Sequence, residues 1–152
     1  MPDRFQFELV TPERLLVSTE VEMVVVPGTE GNFGVLAGHS PLISTIRPGT
    51  IDVYATRAAI SERIFVVGGI AEVTPDGCTV LADEAMATDS LDRAALDAEL
   101  TTIEGNLPSL RDQVARATGT DRERLLIELR QSERQQSVAR AKLQALAELG
   151  RQ

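Results

Sequence analysis

Hydrophobic and polar positions alternate at the start of the chain, where Phe5, Phe7 and Leu9 are separated by Gln6 and Glu8. A period of two sends one set of side chains to a buried face and the other to water, which predicts a strand. Residues 21–26 are almost continuously apolar and read as one more deeply buried strand. Turn signals recur at Thr11-Pro12, Pro27-Gly28, residues 38–41, Pro48-Gly49, Gly68-Gly69 and Pro75-Asp76-Gly77. Short strands at such spacing suggest a sandwich or barrel. Asp76-Gly77 is the expected two-residue hairpin turn between residues 70–74 and 78–82, since that turn needs positive φ at both central positions.

Beyond residue 88 the period changes. Leu96, Leu100, Ile103, Leu107, Leu110, Val114 and Ala117 follow one another at alternating intervals of four and three, a heptad seam that predicts a helix. Thr88, Asp89 and Ser90 offer capping side chains before Leu91. Pro108 removes the backbone bond to Glu104, but the seam keeps its register across it, so a kinked helix is expected rather than two separate ones. Gly119-Thr120 turns the chain, and a second helix is expected over residues 121–149, roughly 40 Å long. Its seam, Leu125, Leu129, Ser132, Gln136, Ala139, Leu143 and Leu146, is polar in the middle. Two seams joined by a short turn imply an antiparallel hairpin. The polar pair has two readings: it weakens the middle so that the hairpin can open, or it faces solvent or sets the register. The fold class is therefore α+β, with a β domain at 1–88 and a helical domain at 89–152.

Composition sharpens that division. All five aromatic residues (Phe5, Phe7, Phe33, Tyr54, Phe65), twelve of fourteen valines and six of seven prolines precede residue 88, and the apolar residues after it are mostly Leu and Ala. The formal net charge of -8 also divides unevenly: -7 over residues 1–88, -3 over 89–120 and +2 over 121–152. An acidic chain without a basic surface excludes bulk phosphate neutralisation, so no nucleic-acid partner is expected. The net-basic last helix, with Arg122, Arg124, Arg130, Arg134, Arg140 and Lys142 along it, either pairs with the acidic first one or docks on an acidic partner surface.

Candidate chemistry is sparse. Cys78 is the one cysteine and His39 the one histidine, too few for a structural zinc set or an internal disulfide. A reducing compartment fits. Cys78 falls in a predicted strand and reads as a buried, inert thiol. His39 beside Ser40 suggests a hydrolytic pair, yet adjacent residues face each other poorly, so a histidine bonded within its turn is preferred to a general base. Gly28, Gly31 and Gly34 lack the strand-to-helix context of a phosphate loop and read as a tight turn between strands. No run is long and apolar enough for a membrane helix, and residues 1–4 lack the features of a signal peptide, so a soluble intracellular protein is expected.

One resemblance is specific. Residues 27–42 (Pro-Gly-Thr-Glu-Gly-Asn-Phe-Gly-Val-Leu-Ala-Gly-His-Ser-Pro-Leu) and 65–73 (Phe-Val-Val-Gly-Gly-Ile-Ala-Glu-Val), with Thr11-Pro12-Glu13-Arg14, Pro48-Gly49 and Val80-Leu81-Ala82, are similar in order and spacing to the epsilon subunit of F-type ATP synthases, delta in mitochondria. The likeness covers nearly all of the first half. It implies a ten-stranded β-sandwich followed by a two-helix hairpin, and a non-catalytic part of the central rotor stalk that couples proton flow through the c-ring to rotation and ATP synthesis. The implied partners are the gamma subunit and the c-ring, with the alpha and beta subunits reached through the C-terminal helices when these inhibit ATP hydrolysis. Membrane association would come only through the complex, on the cytoplasmic face of a bacterial inner membrane.

The resemblance also assigns residues. Glu30, Asn32, His39, Pro41 and Leu42 become rotor-interface candidates, and Arg122, Arg124, Arg130 and Arg134 candidates for meeting acidic beta-subunit segments. Many members carry Glu where Asn32 stands and Pro where Ala37 stands. The ATP-binding motif of some members is degenerate: Leu91 and Asp92 match its start, but Ala95 occupies its arginine position, which implies no cofactor and weak or absent ATP binding. The rival reading outside the family is a free ligand-binding β-sandwich with a coiled-coil dimerisation tail.

Overall fold

The computed structural model describes residues 4–149 and divides the chain into two compact units, 1–90 and 91–152. The first unit contains ten strands: β1 (Phe5–Val10), β2 (Leu15–Val21), β3 (Met23–Gly28), β4 (Gly31–Val35), β5 (Leu42–Ile46), β6 (Gly49–Tyr54), β7 (Glu62–Val66), β8 (Gly69–Thr74), β9 (Gly77–Ala82) and β10 (Ala85–Ala87). They run in the order β10-β7-β6-β3-β5-β8-β9-β1-β2, with β4 added on β3. The β3–β5 link is a single pair, Gly28 with Ile46. That narrow hinge folds the strands into two layers, β4-β3-β6-β7-β10 and β5-β8-β9-β1-β2, so the sandwich closes through one pair.

Alternation decides which side chains meet between the layers. Phe5, Phe7 and Leu9 of β1 are buried with Val21, Val73, Cys78 and Val80 on one side and Val24, Val26, Ile51 and Val53 on the other. Each such side chain contributes about 1.5–3 kcal/mol on leaving water. β1 pairs antiparallel with β2 and parallel with β9.

Three expectations for this unit need correction. The apolar run 21–26 is not one strand: the chain bends at Glu22, which ends β2 and starts β3. Glu22 is held there, its carboxylate accepting from the Arg57 N–H at 2.8 Å and its own N–H donating to the Tyr54 carbonyl at 2.9 Å. The turn between β8 and β9 is Pro75-Asp76, with Thr74 paired to Gly77, and neither Asp76 nor Gly77 has a positive φ. Proline presets a φ of about -65° for the first turn position. Gly77 is needed for another reason: a Cβ there would sit 2.8 Å from the Gln6 carbonyl oxygen of the parallel neighbour β1. Residues 88–90 do not open the first helix but form a separate 3-10 turn, with the Ser90 hydroxyl donating to the Ala87 carbonyl at 2.6 Å.

Among the glycines of the sandwich, Gly69 leaves the least room for a side chain. It has φ +135°, and a Cβ would lie 2.1 Å from the Leu81 carbonyl oxygen, so β8 and β9 approach there as only glycine permits.

The second unit is a pair of helices, α1 (Arg93–Arg116) and α2 (Gly119–Leu149). Asp92, in extended conformation, caps α1 by accepting from the Ala95 N–H at 3.3 Å. α1 runs through Pro108 without interruption, and α2 begins two residues before the expected 121. Leu96, Ile103, Leu107, Leu110 and Val114 of the α1 seam are buried, and Leu110 and Val114 pack with Leu125 at the turn end.

The polar middle is occupied rather than empty. Gln136 and Arg140 of α2 both donate to the Glu104 carboxylate of α1, and Arg111 lies 3.5 Å from Glu133. These pairs fix an antiparallel register. The two seams therefore face each other within one chain.

Candidate functional site

The β3–β4 hairpin carries the first candidate surface. Thr29 and Glu30 make its turn between the paired Gly28 and Gly31, and residues 29–32 are all exposed. The tip is tied to the end of β5: the Thr29 N–H donates to the Thr45 carbonyl at 3.1 Å and the two threonine hydroxyls lie 2.8 Å apart. Arg47 donates one guanidinium nitrogen to the Gly28 carbonyl and another to Asn32 Oδ1 at 2.6 Å. Between tip and strand runs an open groove of about 480 Å³, lined by Glu30, Asn32, Phe33, Leu42, Ile43 and Thr45 among others.

The groove brings together three of the five candidates in this unit, Glu30, Asn32 and Leu42. His39 and Pro41 are not among its lining residues. They belong to the turn before β5, where the His39 N–H donates to the Leu36 carbonyl at 3.2 Å and ring Nδ1 donates to the Ser40 carbonyl at 2.6 Å. The imidazole is thus bonded to backbone within its own turn, not to the Ser40 hydroxyl.

A second surface was not anticipated from sequence. On the outer face of the β5-β8-β9-β1-β2 layer, register pairs Thr45 with Ile70, Ile70 with Leu81, Leu81 with Val10 and Val10 with Leu15. Ile70, Leu81 and Leu15 are 46%, 53% and 53% exposed, and Ile43, two residues before Thr45 on the same face, is 70% exposed. An exposed apolar row on a sheet face is a candidate docking surface. Its signal was present: β8 and β9 carry apolar residues on both parities, as strands covered on two faces do.

The helical unit carries the third surface. Arg122, Arg124, Arg130 and Arg134 are exposed along α2, with Ile127 66% exposed between them. Arg140 is engaged by Glu104, whereas Arg122, Arg124 and Arg130 make no ion pair among the described residues. So the basic helix pairs with the acidic one only in part. At the start of α1, Leu91 is half-buried, Asp92 serves as the cap, and Ala95 supplies the backbone N–H that the cap accepts.

Little here suits bond-making chemistry. Burial pushes the Cys78 thiol up to about 12, which removes the thiolate at neutral pH. Among the described residues no group of three or more His, Cys, Asp or Glu is placed to hold a metal, and no helix is long and apolar enough to cross a membrane.

The family model described as "ATP synthase, Delta/Epsilon chain, beta-sandwich domain" matches residues 4–88, all ten strands. The chain is 51% identical over 131 residues to the ATP synthase epsilon chain of Rhodospirillum centenum, covering 86% of each. The chain belongs to the ATP synthase delta/epsilon chain family. Two further epsilon chains are 50% identical over 117 residues (Rhodospirillum rubrum, 77% of this chain and 87% of that one) and 45% identical over 130 (Parvibaculum lavamentivorans, 86% and 98%). A chain from the Euglena gracilis mitochondrial ATP synthase, solved as an OSCP/F1/c-ring assembly, shares the fold with TM-score 0.71 at 20% identity, covering 96% of this chain and 83% of that one. The delta/epsilon sandwich is thus the two-layer unit built above, and the epsilon-chain likeness extends past it into the helices. Membership displaces the rival reading of a free ligand-binding sandwich, and the mutual packing of the α1 and α2 seams uses the faces a dimerisation tail would need.

Proposed function

We propose that this chain is the epsilon-type subunit of a bacterial F-type ATP synthase, a non-catalytic central-stalk component that couples proton flow to rotation and ATP synthesis. What carries the reading is about half-identity to epsilon chains over 86% of both sequences. The geometry supports a division of labour. The apolar row of Ile43, Ile70, Leu81 and Leu15 suits a dry, permanent contact, proposed to be with the gamma subunit. The polar tip with Glu30 and Asn32, and Leu42 across its groove, suits a contact with the c-ring loops, to which His39 and Pro41 would contribute from the separate turn before β5. The exposed arginines of α2 suit acidic segments of the catalytic subunits, an arrangement in which residues 89–152 would restrain ATP hydrolysis. The complex would place the chain on the cytoplasmic face of the inner membrane, attached only through its partners. ATP binding to the helices is expected to be weak or absent, since the methyl group of Ala95 can neither charge-pair nor hydrogen-bond with a phosphate.

Affinity purification of the tagged full chain from its own cells tests the reading. Recovery of gamma and the c-ring in stoichiometric amounts is expected. A free subunit that brings neither would refute it.

A further inference from the structure

We propose that Arg47 is the positioning residue of the hairpin tip, holding Glu30 and Asn32 in the geometry in which they meet the c-ring. The inference rests on the rotor reading of the tip given above. Among the described residues β4 pairs with β3 alone, and beyond that ladder the bonds from Thr29 to Thr45 hold only the turn itself, leaving the outgoing arm at Asn32 without a tie to the rest of the sheet other than Arg47. Arg47 supplies the cross-link. Its guanidinium spans the Gly28 carbonyl, on the strand leading into the turn, and Asn32 Oδ1, on the strand leading out, while its backbone N–H donates to the Pro27 carbonyl at 3.0 Å. One side chain therefore ties both arms of the hairpin to the end of β5. Two acceptors on opposite arms suit the planar fork of arginine, whose two terminal nitrogens reach one each, better than lysine, whose donors all sit on one nitrogen. Asn32 is oriented by the same contact: its carbonyl oxygen faces Arg47, so its amide NH2 remains for a partner acceptor. Arg47 is half-buried beneath the tip and acts through Asn32 and the turn.

The test compares the full chain with Arg47→Met, Arg47→Lys and the double variant Arg47→Lys/Asn32→Asp. Amide exchange of Thr29 should quicken at least tenfold in Arg47→Met, while exchange of Val24, Val26 and Val53 in the sheet stays unchanged. Arg47→Lys should fall between. The double variant should regain slow exchange, because a carboxylate lets a lysine restore one charged link, a rescue that mere loss of bulk would not show. Thr29 exchange equal to that of the unaltered chain in Arg47→Met overturns the proposal, as does failure of the double variant to improve on Arg47→Lys. In the assembled enzyme, Arg47→Met should lower proton pumping per ATP hydrolysed about threefold at equal subunit content. Quickened exchange with undiminished pumping sustains the positioning role and refutes the c-ring reading of the tip.

Discussion

Arg140 of α2 donates to the Glu104 carboxylate of α1, and Gln136, one turn earlier on α2, donates to the same oxygen at 3.1 Å. The hydrogen bond from Arg140, then that from Gln136, holds the Glu104 carboxyl below its ordinary 4.5. A depressed folded value means that the clasp stabilises the hairpin above the unfolded value and is lost as pH falls through the lower, folded one. At neutral pH it is fully present. Carboxyl-carbon NMR titration of Glu104 should give a midpoint under 4.5, and Arg140→Met should return it upward. A midpoint indifferent to Arg140 would refute the clasp.

Pro108 lies four residues after Glu104 and leaves that carbonyl without its helical donor. Proline inside a helix costs about 3 kcal/mol relative to alanine, so Pro108→Ala should stabilise the helical unit by up to that amount. Slower amide exchange over residues 104–112 and a higher melting temperature of the helices are the expected readouts. An unchanged unit would mean that α1 has already absorbed the defect.

Cys78 is 1% exposed, and its thiol is pushed up to about 12 by burial. A disulfide reagent at pH 7.5 should therefore leave the folded chain unmodified and label it within minutes in guanidinium. Rapid labelling under native conditions would contradict the burial.

Phe7 and Leu81 separate stability from docking. Phe7 is fully buried between the layers, and Phe7→Ala should cost about 3–5 kcal/mol in denaturant melts. Leu81 stands 53% exposed on the outer face, so Leu81→Glu should leave the melt within about 0.5 kcal/mol of the unaltered chain. The same variant should lose co-purification with gamma. Retained binding would remove the outer apolar row from that contact.

Deleting residues 89–152 should leave ten strands folded and the complex assembled, because the two units have separate cores. ATP hydrolysis by the truncated enzyme should rise. Equal rates with and without the helices would end the inhibitory reading of Arg122, Arg124, Arg130 and Arg134.

Much of the architecture was legible because periodicity reports burial directly. Phe5, Phe7 and Leu9 turned inward as their alternation requires, and the heptad seam of α1 became its buried face. What escaped were features set by neighbours distant in sequence. The break at Glu22 depends on Tyr54 and Arg57, and Gly77 is required by Gln6 across a parallel pair, whereas Asp-Gly alone resembles a turn. Asp92 rather than Ser90 capped α1 because a local 3-10 turn had taken the serine. At the candidate site, Glu30 and Asn32 were visible as an exposed polar turn within a recognisable segment. Arg47 was not, because its importance lies in two acceptors reached across 15 and 19 positions of chain. The outer apolar row did leave a signal, apolar residues on both parities of β8 and β9, but such a strand resembles a doubly buried one, so the pattern does not say that the second face is open.

The parallel pairing of β1 with β9 has a consequence for synthesis. Gln6 lies beside Gly77, about 70 positions later, and β9 is complete only at Ala82. A nascent chain can form the β1–β2 hairpin as soon as both strands emerge, but one edge of β1 then stays open. Until β9 arrives, β1 and β2 are not joined to the rest of their own layer, and the open edge of β1 is free to pair with other chains. The sandwich thus forms its last essential pairing with its first strand, and a ribosome that stalls before residue 82 releases a sticky fragment rather than a smaller fold.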